Sequence, residues 1–438
     1  MSYEGVKQRE AAWYVLLYVA AGSYSDIALQ RVLNKYNFSS KDISLVTELA
    51  YGSIRYRKYL DTWMEFLTGF TVKQQPPKLR WLLHIGLYQI LKMNRIPDSA
   101  AIFTTVEVAK RSELKKMSNV VNAILRSCSR KQLSEIQIIR PLDQIDQVVY
   151  KYSLPKWLVE EMICWFGLER TKQLAKSFNR TPTIDLRINR LLTNLDFVQQ
   201  EFIESKVLTE KIKGINSALT LKTKTGMISN LPGYKEGNWS VQDRSSQLIA
   251  TLLSPQPGEK ILDACAAPGG KSTHIAELID DDGEIWAVDK SKIRLKKILA
   301  NIERLQISCI KVLNANSIDL INLKPNWINY FDKIIIDAPC SCLGTLARNP
   351  DARWRITKRD INDLIKIQSQ LLDSLVPLLR RNGKLIYSTC TINPFENKNL
   401  IDTFLEKHNQ FSIILERHIF PDQELLGDGF YAALLGAK

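Results

Sequence analysis

The stretch that decides the fold is Ile261-Leu262-Asp263-Ala264-Cys265-Ala266-Ala267-Pro268-Gly269-Gly270-Lys271-Ser272-Thr273. An apolar run passes through small residues and two glycines into a segment that reads as a helix. Such residues let a ligand approach backbone amides at a helix start. The spacing is neither G-x-x-x-x-G-K-S/T nor G-x-G-x-x-G, so a phosphate cradle is excluded and a dinucleotide site is weakly supported. The next strand candidate ends in Ala287-Val288-Asp289-Lys290. A carboxylate there is placed to accept hydrogen bonds from ribose hydroxyls.

Outward from this loop, strand candidates at 260–264, 284–288, 309–313, 333–337 and 384–388 alternate with helical stretches. One helix is expected over 359–376, stopping near Pro377. Alternation of this kind predicts a mostly parallel sheet with helices on both faces, an α/β, Rossmann-like domain over 236–438. Ligands of such sheets sit at the carboxyl ends of the strands. Residues 1–140 instead read as all-helical, with apolar stripes at 11–19, 43–51, 82–93 and 120–125 that must be buried against one another. Pro97 disfavours helix at Ile96, so Asp98 or Ser99 is expected to cap a helix starting near Ala100. Residues 141–235 open on Pro141 and a helical stretch near 157–166, followed by alternation at 181–189. They predict a small mixed α/β unit.

The 438-residue chain carries a net charge of +14, which favours a polyanionic partner such as nucleic acid. Arg187, Arg190 and Lys222 could meet RNA phosphates, or form an ordinary solvated basic face. The start, Met1-Ser2-Tyr3-Glu4, shows no charged region followed by an apolar run, and no apolar stretch approaches the length of a membrane span. The reading is of a cytoplasmic protein, a monomer without membrane contact. Seven cysteines, an odd number, do not suggest a disulfide scaffold, and four scattered histidines argue against zinc. No metal is expected.

Two cysteines end strands. Ile334-Ile335-Ile336-Asp337-Ala338-Pro339-Cys340 closes one, and Leu385-Ile386-Tyr387-Ser388-Thr389-Cys390 another, so the two sulfurs can converge on one cleft. A structural cysteine would more naturally lie within an apolar run, as Cys164 does in sequence. Paired thiols suit a specific chemistry. Cytosine C5 is a poor nucleophile, but addition of a thiolate at C6 makes C5 enamine-like and able to take a methyl group. A carboxyl group beside the base can bind its N3 and N4 edge and share a proton with the adduct, and Asp337 has the position for that task.

Together, 262–273, 332–344, 385–397 and 427–433 resemble the RsmB/Sun/Fmu family of bacterial 16S ribosomal RNA cytosine-C5 methyltransferases. That family carries an N-terminal domain like the antitermination factor NusB, which Ala50-Tyr51-Gly52-Ser53-Ile54-Arg55 and Val121-Asn122-Ala123-Ile124-Leu125-Arg126 resemble. The resemblance implies S-adenosyl-L-methionine as methyl donor and small-subunit ribosomal RNA as substrate. It also implies Cys390 as nucleophile and Cys340 as the thiol that assists product release. The cofactor loop maps onto Cys265, Ala266, Ala267, Pro268, Gly269, Gly270 and Lys271, and the ribose-binding acid onto Asp289. Asp337 maps onto the active-site acid and also faces the cofactor set. Where the family often has an aspartate near the adenine, this chain reads Asn314-Ala315-Asn316-Ser317, so Asn314 takes that place by best alignment, with Asn316 the alternative. The segment 344–354 is similar to an RNA-facing rim, with Arg348 and Arg353 expected to contact RNA, whereas Phe430 and Tyr431 are expected in the core. The catalytic motifs serve transfer RNA equally well. The NusB-like portion leaves open a non-catalytic RNA-binding or transcription-associated module.

Overall fold

A computed structural model describes residues 5–130, 143–223, 226–423 and 427–437. Met1–Glu4 and Pro141, on which the leader and region-boundary expectations fall, lie outside them.

Residues up to Arg180 form one compact unit together with Asn349–Arg355. Its first helices are Val6–Ala20, Ser25–Leu33, Ser40–Arg55, Arg57–Thr68, Pro77–Lys92, Asp98–Arg111 and Ser118–Arg130. Their stripes meet in one core, where Ala12, Leu16, Leu49, Leu82, Leu83, Val121 and Leu125 are all buried. Ser39 begins the third helix by a capping box with Asp42. The Asp98–Arg111 helix begins directly after Pro97, two residues before the expected start, and Pro97 offers no capping side chain. Asp98 instead accepts a hydrogen bond from Ser129 Oγ at 2.7 Å, fastening this helix to the next. Tertiary pairing has taken the side chain that local logic assigned to the cap.

Three further helices, Gln144–Tyr152, Lys156–Phe166 and Leu168–Ser177, belong to the same unit. In the second, Leu158, Val159 and Met162 make the buried face, so Cys164, two residues past Met162, is turned outward and exposed rather than core. Arg353 is fully buried here. Its guanidinium donates to the carbonyls of Ser153 at 3.2 Å and Phe178 at 3.0 Å, and to Asn179 Oδ1 at 3.0 Å. These are carbonyls at helix ends, which need donors when buried. Arg353 is a structural clasp, not an RNA contact.

The second compact unit holds two sheets. The smaller is antiparallel in the order β2-β3-β1-β4, with β1 Ile184–Ile188, β2 Thr209–Lys211, β3 Ala218–Leu221 and β4 Trp239–Val241. The helix Leu195–Glu204 covers it through Val198 and Phe202, which pack with Leu186, Leu219 and Trp239.

The larger sheet contains β5 Lys260–Asp263, β6 Glu284–Asp289, β7 Ile310–Asn314, β8 Phe331–Asp337, β9 Leu379–Thr389, β10 Phe411–Ile419 and β11 Phe430–Ala437. Their order is β10-β11-β9-β8-β5-β6-β7. Strands β5 to β9 pair in parallel, while β11 runs antiparallel to both β9 and β10. Alternate side chains supply opposite faces. Leu262, Val288, Ile334 and Tyr387 enter one core, and Ile261, Ala287, Ile335 and Ile386 the other. The chain leaves β5 toward β6 and β7, then returns to β8 on the other side of β5. That reversal opens a crevice at the carboxyl ends of the strands. Phe430 and Tyr431 lie in these cores, as expected.

Candidate active site

The five parallel strands deliver Asp263, Asp289, Asn314, Asp337 and Thr389 as their last residues, on one edge of the sheet. After β5, Gly269 adopts φ +101° and donates its amide to Ala266 O at 2.6 Å, the tight turn that starts the helix Gly270–Leu278. A side chain is disfavoured at such a φ. Asp289 is almost wholly buried. Its carboxylate accepts from Ala267 N at 3.2 Å and Ser291 N at 2.8 Å, which ties the end of β6 to the β5 loop. Asn314 faces the same edge and donates through Nδ2 to Asp289 O at 2.9 Å. Asn316 turns away, donating to Asp319 Oδ2 at 3.0 Å and capping the following turn. Of the two asparagines, only Asn314 adjoins Asp289.

Lys271 is buried and its ammonium lies 2.5 Å from Asp337 Oδ2. The cation of the loop is thereby committed to a carboxylate. Together with the Asp289 acid, this donor set fits a nucleoside without phosphates, S-adenosylmethionine included, better than a nucleotide. Asp337 also accepts from Ser388 Oγ at 3.2 Å, and Ser388 precedes Cys390 by two residues.

Beyond β8 and β9 the two expected cysteines converge, with Cys340 Sγ 3.4 Å from Cys390 Sγ. A third sulfur joins them: Cys342 Sγ lies 3.6 Å from Cys390 Sγ. Hydrogen bonding among the sulfurs, reinforced by burial, pushes the Cys390 and Cys340 thiols well above their ordinary range. The same hydrogen bonds favour a thiolate at Cys342. One negative charge is thus shared across the cluster. Burial, reinforced by the Asp263, Asp337 and Asp289 carboxylates, holds the Cys265 thiol up.

The two cysteine loops are held together by a residue that the motif reading passed over. Glu396 is fully buried and accepts four hydrogen bonds, from Ser341 N at 2.8 Å, Ser341 Oγ at 2.5 Å, Gln368 Nε2 at 3.1 Å and Asn393 Nδ2 at 3.1 Å. Ser341 Oγ in turn lies 2.8 Å from Thr391 Oγ1, the neighbour of Cys390. Despite those donors, burial pushes the Glu396 carboxyl up to about 7. Its sequence signal was slight, a single acid in the 385–397 stretch. Gly344 completes the clasp: its amide donates to Cys390 O at 3.0 Å, and it accepts from Gly429 N at 2.8 Å. A Cβ at Gly344 would stand 2.1 Å from Gly429 O, so only glycine fits.

Three expected RNA-facing arginines and lysines have other duties. Arg187 is buried, and all five of its donors are used. They reach Glu277 Oε2 at 3.0 Å and Oε1 at 2.7 Å, Gln242 Oε1 at 2.5 Å, Gly270 O at 2.7 Å and Thr273 Oγ1 at 3.0 Å. It therefore braces the cofactor-loop helix from β1. Arg348 donates to Asp428 Oδ2 at 2.8 Å and Asp243 Oδ2 at 3.0 Å, an ion-pair network instead of the expected RNA contact. Lys222 pairs with Glu210 at the surface. Arg190 is exposed.

The sheet order with its reversed last strand, and the acid-and-small-residue crevice, define a Rossmann-like methyltransferase. Residues 250–435 match the family described as 16S rRNA methyltransferase RsmB/F, 6–130 match the NusB family, and 154–227 match an RsmF/B-like ferredoxin-like domain. The chain is 41% identical over 408 residues to a probable ribosomal RNA small subunit methyltransferase B of Synechocystis sp., covering 93% of this chain and 90% of that protein. A protein of the same name from Bacillus subtilis is 33% identical, with 89% and 86% covered. The crystal structure of PH0851 superposes with a TM-score of 0.85 at 25% identity, covering 99% of both chains. The chain belongs to the RsmB/F family of 16S rRNA methyltransferases.

Proposed function

We propose that this protein transfers a methyl group from S-adenosylmethionine to C5 of a cytosine in small-subunit ribosomal RNA, through a covalent Cys390–C6 adduct. The observation that carries the reading is the approach of Cys340 and Cys390 to 3.4 Å at the ends of neighbouring strands. S-adenosylmethionine supplies an electrophilic methyl group. Asp289 is assigned its ribose hydroxyls and Asn314 its adenine edge, while the 265–271 loop packs small residues and backbone against it. Asp337, held by Lys271 and Ser388, is assigned the N3 and N4 edge of the cytosine.

In this mechanism the Cys390 thiolate forms a bond to C6, and the displaced electron pair builds up on C5 while Asp337 holds the N3 and N4 edge of the ring. C5 takes the methyl group. Removal of the C5 proton and cleavage of the S–C6 bond then restore the aromatic ring and return Cys390, with Cys340 assisting release. Residues 1–140 and 141–235 are assigned to positioning RNA, and 236–438 to catalysis.

The test uses labelled S-adenosylmethionine, separately prepared unmodified ribosomal and transfer RNAs, and base-resolution mapping. Label at a cytosine C5 of small-subunit RNA supports the reading, and label confined to transfer RNA overturns the substrate. The Cys340→Ala protein should accumulate a protein–RNA adduct on a denaturing gel. Full methyl incorporation by Cys390→Ala would remove that residue from the nucleophile role.

A further inference from the structure

The mechanism leaves Cys342 without a task, yet the fold brings its sulfur into the reaction centre. Cys342 sits in the left-handed region at φ +56°, a conformation unusual for a residue with a side chain. Its carbonyl accepts from Thr345 N at 3.0 Å, so the loop is held in that turn. The sulfurs of Cys340, Cys342 and Cys390 all lie within 4.8 Å of one another, with 3.4 Å and 3.6 Å separating Cys390 from its two neighbours. Two thiolates on one tetrahedral zinc ion, each bonded at about 2.3 Å, stand roughly 3.8 Å apart. The three sulfurs are therefore close to the spacing of a trigonal thiolate face. Among the described residues, no histidine or carboxylate joins this group, which leaves a fourth position open. Three soft donors select a soft, closed-shell cation over magnesium or calcium. Counting histidines steers a sequence reading away from a metal, but an all-sulfur site needs none.

We propose that Cys340, Cys342 and Cys390 form a binding site for a thiophilic d10 cation, zinc being the biological member of the class. Binding leaves all three sulfurs as thiolates on the ion and releases the protons still held by the cluster to solvent. Because Cys390 is one of the ligands, occupancy withdraws it from attack, and zinc inhibits methyl transfer reversibly. That last consequence rests on Cys390 as nucleophile, whereas the binding itself does not.

The full chain, reduced and stripped of metal, is titrated with Cd2+ followed by sulfur-to-metal charge-transfer absorption, and then with Zn2+ in competition. One tight equivalent is expected. Cys342→Ser should weaken Cd2+ binding on the order of 100-fold. Cys342→Ala is the second variant should serine bind, and Cys164→Ser, at an exposed site, should leave the band intact. Absence of the band, or undiminished affinity in both Cys342 variants, would overturn the site. A tight Cd2+ band with no inhibition of methyl transfer would uphold the site and count against Cys390 as nucleophile.

Discussion

At the scale of single residues, the cysteine cluster governs reactivity through its shared charge. The Cys390 thiol is held above its ordinary value, so little of it is thiolate at neutral pH and that fraction grows as pH rises. The single-turnover rate should climb steadily from neutral pH into the alkaline range. A rate that levels off below neutrality would show that Cys390 ionises without this constraint. Asp289 makes a separate prediction. Its carboxylate links β6 to the 265–271 loop through Ala267 N, so Asp289→Ala should weaken S-adenosylmethionine binding about 10- to 100-fold by calorimetry. An unchanged dissociation constant would take the ribose assignment away from it. Both predictions depend on contacts that the motifs only hinted at, since the sulfurs of Cys340 and Cys390 come from residues 50 apart in sequence.

At the scale of elements, the cofactor-loop helix is braced by a buried ion pair. Arg187 on β1 holds Glu277 with two hydrogen bonds and Gly270 O with a third. Removing one partner of such a pair strands the other charge, which costs about 3–5 kcal/mol. Arg187→Ala should therefore lower the denaturant midpoint clearly, and Arg187→Ala with Glu277→Gln should recover part of that loss. Equal stability of the two proteins would mean that the pair is not the brace. Sequence alternation placed Arg187 on a strand correctly, but a lone basic residue on a strand gives no sign of which face is covered. The covering helix is supplied about 90 residues later. The same limit applies to Arg348 and Arg353, whose partners are equally remote.

At the scale of the molecule, two buried acids make stability depend on pH. Burial pushes Asp263 from 3.8 to about 7 and Glu396 from 4.5 to about 7. Each holds its proton more tightly folded than unfolded, so its contribution is complete below the ordinary carboxylate range and is lost as pH rises through about 7. Stability should fall from these groups between about pH 4 and 8, and Asp263→Asn should flatten that fall, as measured by denaturant unfolding at a series of pH values. A parallel curve for the variant would contradict the assignment. The charge of +14 acts at longer range. RNA affinity should drop with salt, the logarithmic slope changing by about 0.7 for each phosphate neutralised on single-stranded RNA, and a flat dependence would rule out phosphate contacts as a main contribution.

The sequence by itself determined the alternation of strands and helices over residues 260–390, the glycine turn at Gly269, and the positions of Asp289, Asp337, Cys340 and Cys390 at or just beyond strand ends. These are written in local periodicity and backbone permissiveness, which short windows of sequence contain. It also carried the family resemblance that the comparisons bear out. Tertiary structure alone decided that Asp98 ties two helices instead of capping one, and that Glu396 clasps both cysteine loops. It also brought Cys342 into contact with Cys390. The physical reason is the same in each case. A polar side chain commits to whichever partner burial brings within hydrogen-bond reach, and that partner is chosen by the packing of distant segments.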